Sequence, residues 1–237
     1  MPFPLLLALS LAPVSIASET RDLDFEYNWS AEAEAVPALS RRFRADAVRQ
    51  RQAMNRMAVA EKKARREMGT SDWNGLQFSR SVETAGQSGK LLSLVTSTSS
   101  YTGGAHPNGR TSALLWDRKL SRETNYSALL LAGQRWDGAL RLPFCVLLDR
   151  ERAKRRGETV VNGEWPSQCP EMKELTIALA DHDRNGRFDH ADLTADSYVA
   201  GPYAEGPYEI SLPITATMVQ RLKPEFRASF EAQPPVQ

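Results

Sequence analysis

The chain is predicted to fold as an α+β domain with a mainly antiparallel sheet packed by helices. Three observations predict it. A stretch without Gly or Pro, Ala38 to Met68, is dominated by helix formers. Short alternating or β-branched runs follow between turn residues. Helical character then returns twice, so the order is helix, strands, helix, strands, helix.

The N-terminus carries an apolar run from Leu5 to Ile16, followed by Ala17-Ser18-Glu19. It is shorter than the roughly 20 apolar residues a membrane-spanning helix needs. With small residues at its end it reads as a signal peptide, residues 1–17, cleaved after Ala17. No Lys or Arg precedes the core, and no Cys follows it to carry a lipid anchor. The alternative is a buried N-terminal strand or helix. The expected destination is periplasmic or secreted, with no membrane anchor.

Next, Asp24 to Trp29 alternates as a short strand, and Ser30 to Pro37 leads into the long helix. Phe43, Ala47, Gln50, Met54, Met57, Glu61, Ala64 and Met68 share one helical face. Gly69 ends the helix. Leu76, Phe78, Arg80 and Val82 alternate as a strand, and a turn over 86–89 leads into the strand 91–100. A loop over 101–109 precedes a further apolar run, 112–117. Helical character over 127–156 is interrupted near Gly133 and Pro143, and its end, Asp149 to Arg156, reads as a charged solvated face. Leu175, Ile177 and Leu179, then Phe188, Ala191 and Leu193, then Tyr208, Ile210 and Leu212 give three strands. A last helix from Ala216 is broken at Pro224, and residues 232–237 form a frayed tail. Residues 18–231 are therefore expected to be one extracytoplasmic domain, with 24–100 and 101–231 as its two sub-domains.

The formal net charge of +1 argues against a nucleic-acid binder. That average conceals an asymmetry. Residues 38–68 hold ten Lys/Arg against three Asp/Glu, and residues 171–211 hold nine Asp/Glu against three Lys/Arg. The two stretches either face each other or form opposite poles. The two cysteines, Cys145 and Cys169, are expected to pair in an oxidising compartment.

Three segments could carry chemistry. Asp181, Asp183, Asn185, Asp189 and Asp192 stand at positions 1, 3, 5, 9 and 12 of a twelve-residue loop, with Gly186 at 6 and the Arg187 carbonyl at 7. That is a Ca²⁺-loop spacing, because a hard cation wants six or more oxygens and Gly permits the sharp turn. The flanks alternate like strands, and position 12 is Asp rather than a bidentate Glu. The other reading is a β-hairpin whose Asp and Asn residues simply favour the turn. The second segment is the glycine–histidine loop, Gly103-Gly-Ala-His106. It either positions an imidazole for hydrolysis or forms a tight connection. No nucleophile elbow, HExxH, phosphate loop or dinucleotide fingerprint accompanies it. The third is Gly-Pro-Tyr203-Ala-Glu-Gly-Pro-Tyr208, where tyrosines on a rigid frame could contact carbohydrate or protein.

Tyr101-Thr-Gly-Gly-Ala-His-Pro, Trp116-Asp117, and Tyr198 followed by Gly-Pro-Tyr-Ala-Glu-Gly together resemble a bacterial extracytoplasmic domain of unknown function. That domain forms the extracellular part of the lysozyme-receptor anti-sigma factor. A similar pair precedes the catalytic domain of a peptidoglycan deacetylase. The resemblance spans residues 24–231. It implies a non-catalytic binding or accessory domain of the cell envelope, with peptidoglycan or a lysozyme-like protein as partner. His106, Tyr203 and Tyr208 are then the expected contacts. It transfers no catalytic residue, and this chain shows neither a sigma-binding segment nor a deacetylase domain. An envelope hydrolase using His106 and a calcium-stabilised structural protein are the alternatives.

Overall fold

A computed structural model describes residues 12–70, 73–157, 163 and 165–235. Nine strands and five α-helices are placed among them: β1 (Val14–Glu19), β2 (Leu23–Trp29), α1 (Ala31–Glu34), α2 (Pro37–Glu67), β3 (Leu76–Gln87), β4 (Leu91–Tyr101), β5 (Asn108–Asp117), β6 (Arg122–Thr124), α3 (Asp137–Arg156), β7 (Thr176–Ala180), β8 (His190–Ala195), β9 (Tyr208–Pro213), α4 (Ala216–Gln220) and α5 (Pro224–Arg227). The predicted class holds. β1 to β6 form a six-stranded sheet in sequence order, and β7 to β9 form a second, antiparallel sheet. Only the β2–β3 pair of the first sheet is parallel, because α2 carries the chain back between them.

Strand alternation divides the interior into two cores. Leu23, Phe25, Tyr27 and Trp29 of β2, with Leu76, Phe78 and Val82 of β3, face α2. Leu92 and Leu94 of β4 and Leu114 and Trp116 of β5 join them. The buried stripe of α2 is Leu39, Phe43, Ala47, Met54 and Ala58. Met57 and Met68, expected on that face, are exposed. The neighbouring positions Leu91 and Leu115 point the other way, into a second core with Trp136, Phe144, Leu179, Phe188 and Tyr208.

The second sheet is fastened to this far face through β7. The Leu179 amide donates to Ser93 Oγ at 3.1 Å, and the Asp181 amide to the Ala85 carbonyl at 3.1 Å. Thr176 Oγ1 donates to the Thr111 carbonyl at 3.0 Å. The basic α2 and the acidic 171–211 stretch therefore lie on opposite sides of the six-stranded sheet.

Several expectations change. Residues 1–11, most of the predicted leader, lie outside the described residues, whereas Val14–Glu19 pair with Asp24–Trp29 of β2. Cleavage after Ala17 would leave two residues of that strand. The division at 100/101 runs through the β4–β5 hairpin. The two sheets instead separate between β6 and β7, where the chain turns from one core to the other. The tail is anchored as far as Gln233, whose amide donates to the Ile214 carbonyl at 2.8 Å; Val236 and Gln237 lie outside the described residues. The Cys145–Cys169 disulfide forms, tying α3 to the segment that leads into β7.

Candidate functional site

The glycine–histidine loop joins β4 to β5. Gly103 has φ +92°, a backbone conformation that calls for glycine. The turn presents His106 beside residues from the far end of the chain. Its ring stacks on Tyr203, with centroids 3.6 Å apart and planes 17° apart. Tyr198 closes the group, 5.9 Å from Tyr203. The Trp165 indole N–H donates to the Tyr198 carbonyl at 3.4 Å.

The proton on His106 follows from its partners. Nδ1 lies 2.9 Å from the Pro107 carbonyl, which can only accept, so Nδ1 carries the hydrogen. In the neutral ring Nε2 then accepts from the Tyr198 hydroxyl at 3.1 Å. Both nitrogens are engaged by groups that orient the ring. Among the described residues neither nitrogen bonds a carboxylate, so these residues form no Ser–His–Asp arrangement at the ring.

Tyr198 is 54% exposed and Trp165 52%. Tyr198 adopts φ +73°, a conformation strained for an aromatic residue. The Tyr198 amide donates to the Gly201 carbonyl at 3.0 Å, which holds the turn in that shape.

The frame beneath this platform is ionic. Arg152 is fully buried on α3 and donates to the carbonyls of Ser167, Gln168 and Ala200. Arg156 donates to both Glu205 oxygens, at 2.8 and 3.0 Å. Burial pushes the Glu205 carboxyl up, but Arg156 and the Tyr208 hydroxyl more than offset this and hold it below its ordinary value. The charged end of α3, expected to be solvated, is thus partly an internal clamp. Asp196 accepts from the Thr111 amide through both oxygens, at 3.1 and 3.0 Å, and fastens the segment to β5.

The structure therefore brings His106 and Tyr203 together. Tyr208 is not part of the platform. It is 1% exposed, with its hydroxyl on Glu205 and the Arg155 guanidinium 4.0 Å over its ring. Burial and the Glu205 bond push its phenol up to about 12. Two platform residues escape the sequence reading. Tyr198 lies within the resembling motif but carries no spacing signal, and Trp165 sits in a loop whose direction depends on Arg152 and the disulfide.

The expected calcium loop is the β7–β8 turn, and the structure divides its residues. Asp181 accepts from the amides of Asn185 and Gly186, at 3.0 and 2.9 Å. Asp183 accepts from the Asn185 amide, and Arg187 pairs with Glu231. Asp189 and Asp192 do not close on this group. Asp189 is 3% exposed and accepts from the His182 amide at 3.0 Å. Asp192 lies on β8, where Ser211 and His182 engage its two oxygens. A strand begins at His190, whereas an EF-hand would enter a helix there; this places Asp192 on β8 and leaves Asp189 bonded to the His182 amide instead of to the Asp181 group.

The family model described as Deacetylase PdaC matches residues 16–109, less than half of the chain. That stretch includes His106 and stops before Tyr198 and Tyr203. No curated protein matches the chain. Among solved structures, a DUF3298 family protein from Pseudomonas aeruginosa PAO1 is similar at 18% identity and a TM-score of 0.53, covering 94% of this chain and 98% of its own. A member of the same family from Bacteroides fragilis is similar at 16% identity and a TM-score of 0.53, covering 93% and 97%. The chain thus shares the fold of DUF3298 family proteins over nearly its whole length.

Proposed function

We propose that this chain is a non-catalytic binding domain of the bacterial cell envelope, periplasmic or secreted, and that its platform takes a peptidoglycan glycan. The observation that carries the reading is the half-buried stack of His106 on Tyr203, beside the exposed Tyr198 in its strained conformation. Aromatic faces with polar tips suit a sugar ring, which offers C–H faces and hydroxyl edges together. The frame supports this use, because the buried Arg152 and the partly buried Arg156 hold the loops before any ligand arrives. Pairing of Cys145 with Cys169 suits an oxidising compartment. Among the described residues, no helix is long and apolar enough to cross a membrane. The match of residues 16–109 to the family model described as Deacetylase PdaC fits the resemblance to the accessory domains of a peptidoglycan deacetylase.

The test is a titration of the disulfide-intact protein with soluble peptidoglycan fragments, with a c-type lysozyme in parallel. The expected result is saturable glycan binding that Tyr203→Ala and Tyr198→Ala each weaken at least about tenfold, or 1.4 kcal/mol. Binding to lysozyme alone would move the target to a protein. Binding to neither by a folded sample would refute the reading.

A further inference from the structure

We infer that the β7–β8 hairpin holds a transition-metal site built from His182, Asp189 and His190, of the kind that takes Zn²⁺ or Ni²⁺. One donor atom from each of the three lies within 4.8 Å of the other two. The imidazoles of His182 and His190 stack, with centroids 4.3 Å apart and planes 11° apart. This is a separate place from the aromatic platform and a separate chemistry.

Two observations point to a cation here. His190 Nδ1 is a buried nitrogen without a hydrogen-bond partner. It nevertheless lies 3.0 Å from Asp189 Oδ1, close but out of line for donation. Two donors of one metal stand this way. With bonds of about 2.0–2.2 Å, neighbouring ligand atoms fall roughly 3.0–3.5 Å apart and do not point at each other. Asp189 is itself buried, and the backbone amide of His182 fixes one of its oxygens.

The remaining ligand is hinged. His182 sits at the start of the turn with its ring half-exposed, and its Nε2 is 3.2 Å from Asp192 Oδ2. That carboxylate orients the ring from outside, as outer-sphere partners of metal-bound histidines do. His190 and Asp192 are two apart on β8 and share one side of the strand. The movement that would close the three donors, now within 4.8 Å of one another, is rotation of the exposed His182 ring. Two imidazoles and one carboxylate select borderline metals over the hard Ca²⁺.

The experiment is calorimetric titration of the whole disulfide-intact protein with ZnCl₂, NiCl₂ and CaCl₂, each paired with a melting curve. The expected result is one-to-one binding of Zn²⁺ or Ni²⁺ with a raised melting temperature. Asp192→Asn should weaken it about 10–100-fold, and His182→Ala or His190→Ala by more. Co²⁺ absorption bands reporting imidazole ligation should vanish in His182→Ala, an exposed position that leaves folding intact. Three results would each overturn the site: no binding of either metal, Zn²⁺ binding unchanged in both His variants, or a Ca²⁺ response lost in Asp181→Ala but kept in His182→Ala.

Discussion

The buried guanidinium of Arg152 grips the carbonyl of Ala200 with two nitrogens, Nε at 2.9 Å and Nη2 at 2.6 Å. The same side chain reaches the Ser167 carbonyl at 2.8 Å and the Gln168 carbonyl at 2.9 Å. One residue of α3 thus sets the distance between the loop bearing Trp165 and the turn bearing Tyr198 and Tyr203. Arg152→Met would fill the volume but leave these carbonyls without donors. It should lower stability by about 3 kcal/mol in urea unfolding and loosen the platform. Arg152→Lys should not rescue it, because a point charge cannot reproduce the planar fork.

The two tyrosines of the repeated Gly-Pro-Tyr unit should behave oppositely. Tyr208 is buried in the second core, and Tyr208→Ala should cost about 3–5 kcal/mol through the cavity it leaves. Tyr203 loses chiefly one stacking contact, so Tyr203→Ala should cost about 1 kcal/mol. Thermal melts of the two variants side by side check this.

Gly86 permits the contact between the two sheets. A Cβ there would lie 2.6 Å from the Asp181 amide nitrogen and 3.0 Å from the Ala180 carbonyl carbon. Both are backbone atoms and cannot turn aside. Gly86→Ala should therefore push β7 off the β3 bulge and lower stability by about 1–3 kcal/mol. The Asp181 amide, which donates to Ala85, should lose its protection in hydrogen exchange.

Reduction of Cys145–Cys169, 24 residues apart, should lower stability by about 3 kcal/mol. The double Ser variant should reproduce the loss under non-reducing conditions.

Acid should destabilise the protein through Asp46 and Glu205. Burial raises both carboxyls, but for Asp46 the Tyr27 hydroxyl and Arg80, and for Glu205 Arg156 and Tyr208, outweigh it and hold each below its ordinary value. A folded-state pKa below the unfolded one gives stability that is present above the ordinary carboxylate range. That stability is lost as pH falls through the folded value. Melting temperature should fall below about pH 4. The fall should be shallower in Arg80→Met and Arg156→Met, whose carboxylates have less to lose.

Local rules explain what could be read from the chain. Alternation in Asp24–Trp29 and in 76–82 marks strands, because a half-buried strand repeats every two residues wherever it lies. The uninterrupted helix formers of 38–68 mark α2 for the same reason. The two cysteines and the stack partners His106 and Tyr203 were also legible as candidates. Other features depend on which surfaces meet. Arg152 stands in a run of charges that reads as solvated, and only the docking of loops 165–168 and 198–203 over α3 buries it. Tyr208 reads like Tyr203, and its place on β9 sends it inward. Asp189 and Asp192 fit a loop spacing, yet the His182 amide holds Asp189, and Asp192 stands on β8 beside the His182 ring. The sequence by itself determined the periodic elements and the residue types available for chemistry, since those follow from neighbours along the chain. The tertiary structure decided which of those residues share a site, because burial and convergence depend on segments distant in sequence packing across one sheet.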